Sequence, residues 1–200
     1  MQEKDRFLKK QINLKSFLMI LFIIFFFKNC FGAEVNYKIE NYFKNLNLFS
    51  SKFIQSNENF LQEGYIYIDN AKIRLDYFEP DRSIKISQNK GVYINHELKE
   101  EEFFSTKNNL VKIFYDIFLD ESFFLSLSFE ENKKEIIFKK NIFLESESIA
   151  LKIFFENDPL LLRKIVANTN GGVVSISFME HNYNNTFDKD FFSFVPIYLD

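Results

Sequence analysis

Cysteine, histidine and glycine are scarce in this chain, and each scarcity removes a class of function. A single cysteine, Cys30, cannot close an intramolecular disulfide, so stability must come from packing. His96 and His181 are the only histidines, and they are spaced neither with each other nor with cysteine as metal ligands are. They are expected at an exposed loop or strand end. The five glycines form no phosphate-cradling loop and no Gly-x-Ser-x-Gly nucleophile turn. The acidic run Glu97, Glu100, Glu101 and Glu102 lacks calcium-loop spacing and reads as a solvated turn or a sheet edge. Asp76 and Glu79 read as solvent-facing strand residues rather than a catalytic pair. The expectation is a protein that is not an enzyme, with no metal and no cofactor.

Long apolar runs are missing too. The stretch from Phe17 to Phe27 is unbroken but only eleven residues long, short of the roughly 20 that a spanning helix needs. Lys4, Arg6, Lys9, Lys10 and Lys15 precede it, which is the pattern of a secretory signal peptide. An uncleaved anchor, with Leu14 extending the apolar run, is the other reading. Small residues at Cys30 and Gly32 place the cut after Gly32, leaving one domain, 33–200. Lys28 and Asn29 do not suit acylation of Cys30. The periplasm is the expected compartment.

Positive charge is in deficit. Without residues 1–32 the chain keeps 19 Lys+Arg (25 less 6) against 26 Asp+Glu (28 less 2), a formal charge of −7. That balance argues against nucleic acid, which is bound by neutralising phosphates, and against adhesion to anionic lipid heads. The 28 phenylalanines accompany abundant Ile, Lys and Asn, as an AT-rich coding sequence would produce. Their placement therefore says more than their number.

Periodicity supplies the architecture. Val35, Ile39, Tyr42, Phe43 and Leu46 recur at helical spacing. Segments 48–56, 61–69 and 72–79 alternate as strands, with Ile66 and Ile68 sharing one face of the second. Ile73, Leu75 and Tyr77 share a face of the third, opposite Lys72, Arg74 and Asp76. Asp69-Asn70-Ala71 reads as a hairpin turn. Short strands follow at 82–88 and 91–95. Leu110, Ile113, Phe114, Ile117 and Phe118 predict a second helix over 108–119, capped by Asn108 or Asn109. Further strands are predicted near 123–130, 134–140, 147–155, 161–168 and 173–180, with Asn170-Gly171-Gly172 turning the last pair. A closing strand is predicted at 191–195. The fold class is mainly β (α+β).

The order of these pieces resembles the periplasmic outer-membrane lipoprotein carrier family, LolA. Phe53-Ile54-Gln55 is similar to that family's Phe-x-Gln strand, and Gly64 to the glycine that opens its next strand. Lys72-Ile73-Arg74-Leu75-Asp76-Tyr77 resembles its basic-aromatic-Arg-aromatic-acid-Tyr hairpin, with aliphatics for the two aromatics. Pro80, the strands around Gly91-Val92-Tyr93, Leu162 to Phe178 and the Phe191 to Pro196 segment continue the likeness. Where many members carry Arg-Pro in the hairpin turn, and some use that Arg to latch a helical lid, this chain has Asp69-Asn70. The latch role is not carried over to Arg74.

The resemblance implies an incomplete antiparallel β-barrel, or strongly curved sheet, with an N-terminal helix and a helical lid. It implies a monomeric carrier that takes acylated lipoproteins from an inner-membrane ABC exporter to an outer-membrane acceptor. Phe49, Phe53, Ile66, Ile68, Ile73, Leu75 and Tyr77 would then line a lipid-binding cavity. Leu110, Phe114, Ile117 and Phe118 would be the lid's inner face. Alternatives are an outer-membrane receptor of the same fold, a carrier of another envelope lipid, a structural β protein with a filled core, and an esterase using His96 or His181.

Overall fold

The computed structural model of the chain describes residues 34–107, 110–144 and 147–198. The expected signal segment 1–32 and the expected cap at Asn108 or Asn109 lie outside the described residues. The chain divides into two units, Met1–Lys38 and Ile39–Asp200. Helix α1 (34–44) begins in the first and ends in the second. From Ile39 on, its helical spacing buries Ile39 and Tyr42, and Leu46 just beyond it.

The second unit is one sheet of eleven strands, every neighbouring pair antiparallel. They are β1 (Phe49–Ser56), β2 (Leu61–Asp69), β3 (Lys72–Tyr77), β4 (Arg82–Ile86), β5 (Lys90–Asn95), β6 (Glu100–Ser105), β7 (Ser128–Glu131), β8 (Glu135–Leu144), β9 (Glu147–Asn157), β10 (Leu160–Thr169) and β11 (Gly172–Asn182). Their order is β6-β5-β4-β3-β2-β1-β11-β10-β9-β8-β7, so β6 and β7 are edges and the sheet does not close. Both edges are short and carry acids, Glu100 to Glu102 on one and Glu130 and Glu131 on the other, which discourages further pairing. Between the edge strands in the chain lie α2 (Leu110–Leu119) and α3 (Ser122–Leu125).

Alternation sets the faces. Ile66 and Ile68 of β2 stand opposite Leu75 and Ile73 of β3, and all four are buried. The β2–β3 hairpin closes through Asn70 and Ala71, both with positive φ (47° and 58°), the two-residue turn whose twist matches the flanking strands. Gly64 is needed for a different reason. A Cβ there would sit 2.1 Å from the Asp76 carbonyl oxygen and 2.9 Å from the Phe53 ring.

Two expected elements differ. The run 123–130 is not one strand, because Ser122 to Leu125 turn as α3 and only Ser128–Glu131 pair. Phe123 and Phe124 are adjacent apolar residues, which a helix accommodates as readily as a strand, and α3 buries Phe124. The acidic run is a turn at Glu97 and a sheet edge at Glu100 to Glu102 in β6, as expected. The closing strand at 191–195 does not form.

That last segment instead lies as irregular chain over the outer face of β2 to β6. Arg74 Nη1 donates to the Phe191 carbonyl at 3.0 Å, and its guanidinium sits 4.2 Å from that ring's centroid. Lys85 Nζ donates to the Ser193 carbonyl at 2.7 Å, and burial, then the Arg74 charge, pushes its pKa down. The amides of Ile197 and Tyr198 donate to Glu101 Oε1. Side chains thus satisfy this backbone where a strand ladder would have done so. Tyr67, Phe187 and Phe191 form a ring cluster under the segment.

Candidate functional site

A cavity of about 300 Å³ lies between α2 and the inner face of the sheet. Its walls are almost wholly apolar. Strands β3, β4 and β6 contribute Leu75, Ile84, Ile86 and Phe104, and β9, β10 and β11 contribute Ile149, Leu151, Ile165, Ala167, Val174 and Ile176. Helix α2 supplies Leu110, Val111, Ile113, Phe114 and Ile117 as a roof. Gly91 makes room for one wall, since a Cβ there would meet the Phe104 ring at 2.2 Å.

Polar groups are few and gather at one place. Gln55, Tyr77 and Thr169 line the cavity at the sheet end where β1, β3 and β10 finish. The Tyr77 hydroxyl donates to Gln55 Oε1 at 2.9 Å. Its ring meets Phe53 edge-on at 5.1 Å across Gly64. Burial pushes the Tyr77 pKa up, with the Arg82 charge opposing. Thr169 is spent locally, donating to the Gly172 carbonyl and accepting from the Gly171 amide.

The roof is fastened at the opposite end. Tyr115 of α2 donates its hydroxyl to the Ala71 carbonyl in the β2–β3 hairpin at 3.2 Å. Leu110, at the start of α2, is 49% exposed. Phe118 packs edge-on against Phe178 of β11 at 5.5 Å and anchors the helix's other end.

Of the residues expected from the sequence, Phe53, Leu75, Tyr77, Leu110, Phe114 and Ile117 line this cavity. Phe49, Ile66, Ile68, Ile73 and Phe118 are buried but do not line it. Phe49 packs with His181 and Tyr183. Ile66, Ile68 and Ile73 lie toward the hairpin end of β2 and β3, away from Gln55 and Tyr77. Sequence reasoning missed the walls from β4, β6, β9, β10 and β11. In β10 the alternation is blurred by Leu160-Leu161-Leu162 and by Val166 beside Ile165, whereas in β11 Val174, Ile176 and Phe178 alternate with Ser175 and Ser177.

Both histidines sit at strand ends, as the sequence suggested, His181 one residue before the end of β11 and His96 just after β5, but half-buried rather than exposed. His181 Nε2 bonds the Leu162 carbonyl and Nδ1 faces Ser51 Oγ, both at 3.0 Å. Burial, then the Arg163 charge, pushes its pKa down. His96 Nε2 faces Ser83 Oγ at 2.9 Å and its Nδ1 faces the Tyr198 hydroxyl. Ser83 donates to Asp76, which Arg74 also holds. The carboxylate therefore contacts the serine and not the imidazole, the reverse of a Ser-His-Asp relay. Ser51 and Ser83 are both fully buried. These pairs fasten strands and the C-terminal segment. Among the described residues no group of His, Cys, Asp and Glu is arranged to hold a metal ion, and no helix is long and apolar enough to cross a membrane.

No protein-family model matches the chain, and no curated protein does. Solved structures resemble it in fold. An uncharacterized conserved protein from Thermus thermophilus superposes with a TM-score of 0.54 at 10% identity, over 84% of this chain and 96% of that one. The Pseudomonas aeruginosa MucA/MucB complex gives 0.46 at 8% identity, over 78% of this chain and 59% of the matched chain, so this protein spans less than two thirds of it. The hypothetical protein CT021 from Chlamydia trachomatis gives 0.37 at 10% identity, over 69% and 89%. The Thermus protein shares the fold alone, and the other two are too distant to carry an argument.

Proposed function

We propose that this protein is a periplasmic carrier that shelters acyl chains beneath α2. Its cargo in this reading is acylated lipoprotein, received from an inner-membrane ABC exporter and released to an outer-membrane acceptor. It acts as a monomer and performs no chemistry of its own. The observation that carries the reading is the apolar cavity roofed by α2, whose Tyr115 hydroxyl bonds the Ala71 carbonyl. Apolar surface left facing water in a partly open pocket is unfavourable, so a concavity of that size is a poor packing accident.

The volume also sets a scale. It equals roughly ten water-sized units of about 30 Å³, room for about one acyl chain of moderate length. At ~0.8 kcal/mol per buried CH₂, ten methylenes are worth ~8 kcal/mol, enough to hold a chain in water. Delivery requires that this be offset, and closure of α2 onto the sheet favours the empty state. The resemblance of Phe53-Ile54-Gln55, Gly64 and the β2–β3 hairpin to LolA carriers supports the same reading.

The test mixes the purified chain lacking residues 1–32 with spheroplasts loaded with lipoprotein. A soluble one-to-one complex with acylated lipoprotein, and none with an unacylated mutant, is expected. No release from spheroplasts whose exporter is compatible would remove lipoprotein as the cargo.

A further inference from the structure

The polar end of the cavity holds one amide donor group, on Gln55, with no protein acceptor among the described residues, and a second unmet donor stands just behind the Tyr77 ring. Strand register sets Gln55 opposite Gln62, Tyr77 opposite Arg82, and Arg82 opposite Asn95. Residues directly opposite share a face, so these side chains form a polar row across β1 to β5 beside the apolar walls. Gln55 spends its carbonyl oxygen on the Tyr77 hydroxyl. Its NH₂ group meets no acceptor among the described residues.

Arg82 does not itself line the cavity and stands behind the Tyr77 ring. Its Nη2 donates to Gln62 Oε1 at 2.6 Å, and its guanidinium lies 4.3 Å from the centroid of the Tyr77 ring that lines the cavity. Its Nε is shielded from solvent and has no hydrogen-bond partner. No carboxylate pairs with it among the described residues: the nearby turn acids Glu79 and Asp81 are exposed, and Glu63 is held by Lys52. A buried donor left without an acceptor is destabilising, more so beside a charge.

We propose that this end of the cavity receives the carbonyl oxygens of an acyl group, with the Gln55 amide and the Arg82 guanidinium as donors. The hydrocarbon tail then runs beneath α2 toward Phe114 and Ile86. The shared chemistry is an acyl oxygen, from either an ester or amide of a larger lipid or a free carboxylate. The inference rests on the reading of the cavity as an acyl site and adds an orientation and a head-group requirement. A hydrocarbon without carbonyl oxygen would fill the walls and leave the donors unmet.

The experiment measures binding of dodecanoic acid, its methyl ester and the pure hydrocarbon probe diphenylhexatriene to the purified protein and to Arg82→Gln and Gln55→Leu. Loss of a hydrogen bond to a charged donor predicts about a tenfold weaker affinity for the acid in Arg82→Gln. Gln55→Leu is expected to weaken acid and ester several-fold, and Arg82→Gln, at a position outside the lining, should bind the hydrocarbon probe as before. Weakening of the acid alone would assign the site to a carboxylate, and weakening of both to an acyl carbonyl in general. Unchanged acid and ester affinity in both variants, with hydrocarbon binding kept, would overturn the head-group proposal and leave the cavity reading standing. Failure of the unsubstituted protein to bind any of the three would remove the cavity reading itself.

Discussion

Beneath residues 39–44 of α1 and beneath α3 the inner face of the sheet is packed with rings, while beneath α2 the same face is hollow. In the packed half Phe155 meets Tyr42 at 5.2 Å, Phe124 at 5.7 Å and Phe138 at 5.8 Å, all edge-on, and Phe43 meets Phe124 at 5.5 Å. Edge-to-face rings fill space from several directions at once. In the hollow half the facing residues are chiefly Ile, Leu, Val and Ala, which stop short of α2 and leave about 300 Å³. The chain holds 28 phenylalanines, so bulk was at hand for both halves. The difference lies in where the rings were placed, and it separates the part that holds the fold together from the part that has room for something else.

The sharpest way to break this comparison is to remove one ring from the packed half. Phe155→Ala is expected to cost about 3–5 kcal/mol in urea or thermal unfolding, because Phe155 is 1% exposed and touched by three other rings. Ile176→Val, in the hollow half, should cost under about 1.5 kcal/mol, since one side of it already faces space. Equal losses at the two sites would show that the cavity wall is packed as tightly as the ring cluster. The next effect tests the wall itself. Gly64→Ala should destabilise by about 1–3 kcal/mol, because its Cβ would meet the Asp76 backbone oxygen, which cannot swing away as a side chain can.

Filling the void should have a smaller effect on stability and a larger one on binding. Ala167 stands opposite Val174, and both line the cavity. Ala167→Leu is expected to change stability by less than about 1 kcal/mol, since overpacking strain is absent where space exists. It should abolish most binding of a hydrocarbon probe. A variant that loses several kcal/mol on this substitution would mean that the wall collapses onto α2 in solution.

Most of the sheet and helix α2 were legible in the sequence because their patterns are strong. Ile73-x-Leu75-x-Tyr77 alternates cleanly, and Leu110, Ile113, Phe114 and Ile117 recur at helical spacing. Six of the nineteen residues lining the cavity were legible for the same reason. Phe53, Leu75, Tyr77 and three roof residues were found, but Phe49, Ile66, Ile68 and Ile73 have the same local pattern and lie elsewhere. Period-2 alternation tells which residues face inward and not how far along the strand the void begins. The C-terminal segment failed for another reason. Phe192, Phe194 and Pro196 alternate as the end of a strand would, yet the segment pairs with no neighbour. The carbonyls of Phe191 and Ser193 are taken instead by Arg74 and Lys85, from strands more than a hundred residues earlier. No local signal records a partner at that separation.

The smallest effect concerns pH and belongs to the packed half alone. His181 is held between Leu162 and Ser51 beside Phe49, and burial sets its folded-state pKa below the usual value of about 6.5. As pH falls through that value the unfolded chain takes up the proton first, so the unfolded state is favoured. Stability is whole above about pH 6.5 and declines below it, down to the folded-state pKa. Denaturant midpoints measured between pH 7.5 and 5 should therefore fall, and the fall should be smaller in His181→Gln, which cannot titrate. Binding of a hydrocarbon probe to the folded protein over the same range should stay constant, because the apolar wall and roof residues do not titrate there and Tyr77 is held neutral. A midpoint slope identical in His181→Gln would place the acid sensitivity in some other group, whereas probe binding that tracked the midpoint would show that the two halves do not open independently.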